Sequence, residues 1–229
     1  MAEYFDWVNV NKKEYLYPHD FDCGAKFHET WHRDNVVLRA LYELLAGRWK
    51  GDPIVFIGDD INIPEDTPYG LLRELHKQAS GGDHLDHIYE NYRNMSCLFQ
   101  AAETEVREKI GYYLEDVLRV GTFKNENEYG IDIRRPFAGL FGFTGKSFRY
   151  IINHTKKVYY TLDETPILYK DGTPCEYVDP LPLLLGFGRS ADPGVWLGDI
   201  VGVADEISSD YEPLKELYID WSKETVVLL

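Results

Sequence analysis

The sequence predicts an α+β protein: two related β-hairpin/strand units, an internal duplication, sharing one core with a helical insertion between them. Three observations predict it. The phrase "GRWKGDPIVFIGDD" around Trp49 returns as "GVWLGDIVGVADE" around Trp196. An aromatic, β-branched hairpin pattern precedes each phrase, at residues 7–17 and 151–161. Between the two copies runs a stretch of helical periodicity that neither copy repeats.

The hairpins come first in each copy. "WVNVNKKEYLY" and "IINHTKKVYYT" align without a gap, placing Asn9 on Asn153, Lys12-Lys13 on Lys156-Lys157 and Tyr15 on Tyr159. In both, an alternating apolar run meets a polar Asn/Thr/Lys turn and an aromatic run resumes, the pattern of a β-hairpin. A helix follows in the first copy only, within "RDNVVLRALYELLAGRW". Asp34 or Asn35 caps it, Val37, Leu41, Leu44 and Leu45 share one face, and Gly47 ends it.

The repeated phrase is a central strand with a corner at each end. Trp49 is its apolar anchor, Gly51-Asp52 the turn in, 54–57 an all-apolar run, and Gly58-Asp59 the turn out. With Pro53 dropped from the alignment, Trp196, Gly198-Asp199, 200–203 and Asp205 do the same. Residues 65–75 ("EDTPYGLLREL") and 209–217 ("SDYEPLKEL") each read as a short helix opened by Asp and Pro. The second copy also carries a hairpin around Lys170-Asp171-Gly172 and a loop or short helix at 181–185. The insertion repeats Leu98, Ala102, Val106, Ile110, Leu114 and Val117 at helical spacing until Gly121, then passes into a Gly/Phe-rich loop. The expected organisation is 1–78, 79–147, 148–221 and a tail at 222–229, packed as one domain. The tail ends on a short apolar run that either docks as a terminal strand or frays.

The Asn-x-(Asn/Thr)-Lys-Lys-x-Tyr hairpin followed by Trp-x-Gly-Asp-x-Ile-x-x-x-Gly-Asp resembles a widespread family of bacterial proteins with no assigned activity. The resemblance covers most of the chain up to Trp221. It implies a recurring fold and carries over no catalytic residue.

Composition narrows the function classes. The 229 residues are 44% hydrophobic and 14% aromatic, enough for a real core. A net charge of −15 disfavours direct contact with nucleic acid phosphates or anionic lipid and suits a basic partner. Cys23, Cys97 and Cys175 are odd in number and far apart, which fits neither a disulfide framework nor a metal clip. The opening "MAEYFDWVNV" lacks the pattern of a secretory signal, and the longest apolar runs fall far short of a membrane span. A cytoplasmic protein is expected.

One string could carry chemistry. His28-Glu29-Thr30-Trp31-His32 spells HExxH, which on a helix puts two imidazoles on one face for Zn and a carboxylate beside them as base. Against that reading, Cys23-Gly24 lies just upstream, the capping signals come afterwards, and only Glu43 and Glu74 offer a third ligand by residue type. His84-Leu85-Asp86-His87 is a second possible metal string, though after a Gly-Asp it reads as the start of a polar helix. Asp59-Asp60 and Asp205-Glu206 follow the two central strands and could meet around Mg²⁺ or Ca²⁺. "GFGRSADPG" at 186–194 lacks the Lys-Ser/Thr of a phosphate loop and reads as a plain loop.

With no complete catalytic set, no required cofactor and a rich supply of Tyr and Trp, the expected activity is binding of a macromolecular partner by a non-catalytic regulator, inhibitor or immunity-type protein. The alternative is a zinc hydrolase with His28 and His32 as ligands and Glu29 as base.

Overall fold

The computed structural model describes residues 3–21, 24–33, 35–80, 82–96, 99, 148–175, 177–189 and 192–220, and the backbone of 225–227. The long helical repeat expected from Leu98 to Val117 lies outside the described residues.

The chain forms a mixed α+β fold in which helices separate multi-strand sheets. β1 (Phe5–Asn9) and β2 (Glu14–Leu16) make the first hairpin, and β3 (Val55–Gly58) adds antiparallel to β1. β4 (Arg93–Asn94) lies parallel to β2. The second half repeats this arrangement. β5 (Tyr150–Asn153) and β6 (Val158–Tyr160) form the hairpin, β9 (Val201–Ala204) runs antiparallel to β5, and β10 (Glu212–Pro213) runs parallel to β6. The orders β4-β2-β1-β3 and β10-β6-β5-β9 are the same. β8 (Gly186–Phe187) extends the first sheet beside β3, and β7 (Ile167–Tyr169), β11 (Leu217–Asp220) and β12 (Thr225–Val227) form a third sheet.

The turns explain the repeated letters. Asn9 and Asn153 are fully buried, and their side-chain oxygens accept from the Lys12 and Lys156 N–H at 3.0 and 2.9 Å. Their amides donate to Asp52 and Asp199 at 3.2 and 2.7 Å, binding each hairpin turn to the corner before the third strand. Lys12 and Lys156 reach the same carboxylates at 3.0 and 2.7 Å. Gly51 and Gly198 take φ of +84° and +87°, where a side chain is strained, so both corners require glycine.

The register corrects the sequence alignment in one place. Trp7 lies opposite Phe56, while its hairpin counterpart Ile151 lies opposite Val203. Phe56 therefore answers to Val203, and the third strands match without a gap. Pro53 answers to Ile200 and needs no deletion. By the same register Asp59 answers to Glu206, with Asp205 one place earlier. Proline fits because the bond that Ile200 N–H makes, 2.9 Å to Thr155 Oγ1, has no required equivalent; Asn11, the counterpart of Thr155, turns to Asp52 instead.

A second correction concerns 209–217, expected as a helix. It is strand β10 with its flanks and the first residue of β11. Glu212 and Leu214 donate N–H to the carbonyls of Lys157 and Tyr159 at 2.9 and 2.8 Å. Arg93 and Met95 donate to Lys13 and Tyr15 at 2.8 Å each. In both ladders the bonds to the partner strand come from the residues on either side of the middle one, which is why Pro213 is tolerated there. The fourth strand of the first sheet thus falls inside the segment read as an insertion. The helix expected at 65–75 does form, but begins later, as α2 (Gly70–Ala79).

α1 (Val36–Ala46) behaves as its sequence dictates: Asn35 accepts from Val37 N–H at 2.8 Å, and Gly47 caps the C-terminus. Its apolar face enters a core shared by both halves, with Trp7, Trp49, Phe56, Ile151, Tyr160, Trp196 and Val201. α4 (Leu181–Leu185) is buried throughout in the same core. The turn at Lys170-Asp171-Gly172 closes as expected, with Gly172 N–H on Tyr169 O at 2.8 Å. A second apolar cluster lies on the other face of the first sheet, where α2 and α3 (His84–Asn91) cover Val8, Tyr15, Val55 and Ile57. Among the described residues no helix is long and apolar enough to cross a membrane.

Candidate functional site

The HExxH string does not form the helix that zinc chemistry needs. Phe27–Glu29 is one 3-10 turn, Thr30 ends it, and His32 sits in an isolated bridge with Val178. The turn closes on itself because Glu29 accepts from Lys26 N–H at 3.1 Å and Thr30 Oγ1 donates to Phe27 O at 2.8 Å. Phe27 and Trp31 are buried against each other, with ring centroids 5.7 Å apart. His28 and His32 therefore leave from unlike backbone, one beside Trp31 and the other beside Tyr177. Glu43 lies on α1 and Glu74 on α2.

The other strings also resolve into local structure. Asp83 caps α3 by accepting from Leu85 and Asp86 N–H. His84 is buried against Gly58 O at 3.3 Å, and burial pushes it toward its neutral form; His87 pairs instead with Asn91 and Tyr92. Asp59 accepts from Tyr4 N–H at 2.9 Å and Asp60 pairs with Arg189 at 2.5 Å. Among the described residues, no group of three or more His, Cys, Asp or Glu is placed to hold a metal ion. Gly186 to Gly188 are buried, the first two of them in β8, and a Cβ on Gly188 would lie 2.4 Å from the Phe5 ring.

A different cluster gathers on the outer face of the first sheet. Asp6, on β1, has the same parity as Val8 and points toward α3, not toward the shared core. It is 2% exposed. Tyr89, reaching down from α3, donates its hydroxyl to Asp6 Oδ2 at 2.5 Å while the residue stays 42% exposed. From there a chain of rings runs across the surface. Tyr89 meets Tyr17 at 5.7 Å, Tyr17 meets His19 at 5.2 Å, and His19 meets Tyr4, itself 40% exposed, at 5.4 Å. Tyr15 backs Tyr89 at 5.5 Å. Asp20, held by Asn94 at 2.7 Å, and Asp59 complete the rim.

The electrostatics follow from burial. Desolvation lifts the Asp6 carboxyl to about 7 against the opposing Tyr89 hydrogen bond, and the Asp59 and Asp20 charges push the same way as burial. The phenols of Tyr89, Tyr15 and Tyr17 are raised by burial and then by the Asp6 charge. They remain neutral donors with electron-rich faces. Rings flanked by carboxylates attract cations, through the ring quadrupole and through charge together.

No family model, curated protein or solved structure matches this chain.

Asp6 and Tyr89 were not among the residues singled out from sequence, yet one signal was present. "FDWVNV" places a carboxylate at a position whose neighbours of like parity are apolar. Its partner comes from α3, 83 positions away, and no local pattern names it.

Proposed function

We propose that this protein acts by binding a basic macromolecular partner, most simply a protein, through the Tyr4–His19–Tyr17–Tyr89 face, and that its action is occupancy without chemistry on the partner. The carrying observation is that exposed rings and carboxylates lie together on one surface of a chain with net charge −15. Aromatic residues anchor interfaces, and charge complementarity steers encounter. A cytoplasmic regulator, inhibitor or immunity-type protein fits this reading. We also read the two four-strand units as copies of one ancestral unit, supported by their common strand order and matching Asn–Asp corners. The first copy has acquired α2 and α3 between its third and fourth strands, and α3 supplies Tyr89.

Quantitative capture tests the binding reading. Immobilised wild type and a Tyr4→Ala/Tyr89→Ala variant, matched by circular dichroism, are exposed to lysate of the source organism. The expected result is a basic protein retained by the wild type and depleted from the variant. Identical retention profiles would remove this face from the account.

A further inference from the structure

We propose, resting on the reading above, that a cationic side chain seated on the Tyr4–His19–Tyr17–Tyr89 rings drives the proton off Asp6, so that the partner is held more tightly as pH rises. The geometry makes the coupling direct. Tyr89 has its hydroxyl on the buried carboxyl and is itself 42% exposed, so a cation seated on its ring lies next to the group that titrates.

The groups facing Asp6 come from every side. α3 contributes Tyr89, β2 contributes Tyr15, the segment after β2 contributes Tyr17 and Asp20, and the turn after β3 contributes Asp59. The two charges acting on Asp6 are both negative, and they add to desolvation in holding its proton. His84, on the carbonyl of Gly58, is kept toward its neutral form and does not offset them. An arriving guanidinium or ammonium places an opposite charge beside Asp6. Only the O–H bond of Asp6 breaks, and its proton passes to the buffer. The free face therefore avoids burying the Asp6 charge beside the Asp59 and Asp20 carboxylates, and the bound face uses that charge.

His19 stands in the same ring chain, so its imidazole needs its own control. The probe is an acetylated, amidated hexa-arginine peptide, which has no group titrating between pH 5 and 9. Calorimetry on the full chain gives its affinity from pH 5.5 to 8.5. Repeating the titration in buffers of different ionisation enthalpy gives the protons released. The variants are Asp6→Asn, His19→Gln and Tyr4→Ala/Tyr89→Ala. A carboxyl near pH 7 that must ionise gives about tenfold tighter binding at pH 8 than at pH 6, with proton release below pH 7.

The expected result is that His19→Gln keeps most of this dependence, Asp6→Asn loses it while still binding, and the double Tyr variant loses binding. The Asp6 carboxyl ¹³C shift, followed with and without peptide, reads the same proton should Asp6→Asn fail to fold. Binding by the wild type with no proton release and an unchanged Asp6 titration would overturn the coupling and leave the binding face standing. No binding at any pH, or binding indifferent to the Tyr variant, would overturn the face itself.

Discussion

Pro53 and Ile200 pair with each other across an isolated antiparallel bridge, and each is the residue that follows its half's Gly-Asp corner. Antiparallel pairing of counterpart residues is what a local two-fold axis between the sheets would produce. Around that bridge the same side-chain bonds recur, Asn9 to Asp52 and Asn153 to Asp199. The relationship makes the two corners directly comparable by mutation.

Asn9→Ala and Asn153→Ala are expected to destabilise the protein by similar amounts, about 1–3 kcal/mol each. Each removes a fully buried amide that joins a turn N–H to a carboxylate. Urea denaturation checks this. A large cost at one site and none at the other would show that the corners are not equivalent in energy, whatever their shape.

Asp6→Asn is expected to reshape the dependence of stability on pH. Between about pH 4 and 7 the folded chain keeps a proton that the unfolded chain has released, so Asp6 makes stability fall as pH rises through that window. A shift of this size corresponds to on the order of 4 kcal/mol by pH 8. The variant, which cannot ionise, should melt above wild type at pH 8 and close to it at pH 4. Equal melting temperatures at both ends would mean that Asp6 does not carry the proton.

Glu14 titrates in the opposite sense. Its carboxylate is almost wholly buried, which pushes its pKa up, but hydrogen bonds from Arg48 and Trp49 and the Arg48 and Arg93 charges overcome that and hold it below the ordinary range. The stability it supplies is present above the unfolded-state pKa near 4.5 and is lost as pH falls through the lowered folded value. Glu14→Gln should therefore cost more at pH 7 than at pH 3. Glu14→Ala should cost about 1–3 kcal/mol, because it leaves the buried Trp49 N–H without its acceptor. Chemical denaturation at the two pH values separates these outcomes.

The purified chain is expected to hold far less than one zinc per molecule, and chelator should leave its melting temperature unchanged. His28 and His32 sit on a 3-10 turn and an extended bridge, so no helix face brings them together. Elemental analysis decides it; stoichiometric zinc that disappears in His28→Ala would restore the metal reading.

What was legible in the sequence follows from where side chains determine the backbone. The hairpin turns could be read because Asn9 and Asn153 bond the turn through their side chains, and Lys13 and Lys157 take the same left-handed conformation, with φ of 53° and 58°. The third strands could be read from their glycine corners and buried tryptophans. The fourth strands could not. Arg93-Asn94 and Glu212-Pro213 share no letter, since each joins its sheet through backbone bonds that any residue could make on either side of the middle position. The one-residue error at Pro53 has a similar cause: apolar letters can slide along a strand, whereas pairing cannot. HExxH misled because the letters match a helical motif while Glu29 closes a turn back onto Lys26. Asp6 was visible as a charge out of place, but its partner was not.

Asp179 offers the severest test of the shared core. It is fully buried, and its carboxylate accepts from the Tyr42 hydroxyl on α1, from Tyr160 on β6 at 3.1 Å and from Leu181 N–H, at the start of α4, at 3.0 Å. Three elements from different parts of the chain thus converge on one acceptor. Burial raises the Asp179 carboxyl against those hydrogen bonds, and the phenols of Tyr42 and Tyr160 are raised well above the ordinary tyrosine range by burial and by the carboxylate beside them. Asp179→Ala removes the acceptor that all three donors share, leaving the Tyr42 and Tyr160 hydroxyls only each other, for an expected loss of about 3–5 kcal/mol. Asp179→Asn keeps an acceptor but presents an NH₂ where hydroxyls point in, and should cost less than the alanine variant. Tyr42→Phe and Tyr160→Phe each remove one donor while leaving the acceptor partly satisfied, at about 1–2 kcal/mol apiece. Because both act on one carboxylate, their effects should not add: the double variant leaves Asp179 with only the Leu181 N–H among these three and should cost more than the sum. A double-mutant cycle by urea denaturation measures this directly. Strict additivity would mean that the two hydroxyls act independently and that Asp179 does not join α1 to the second sheet.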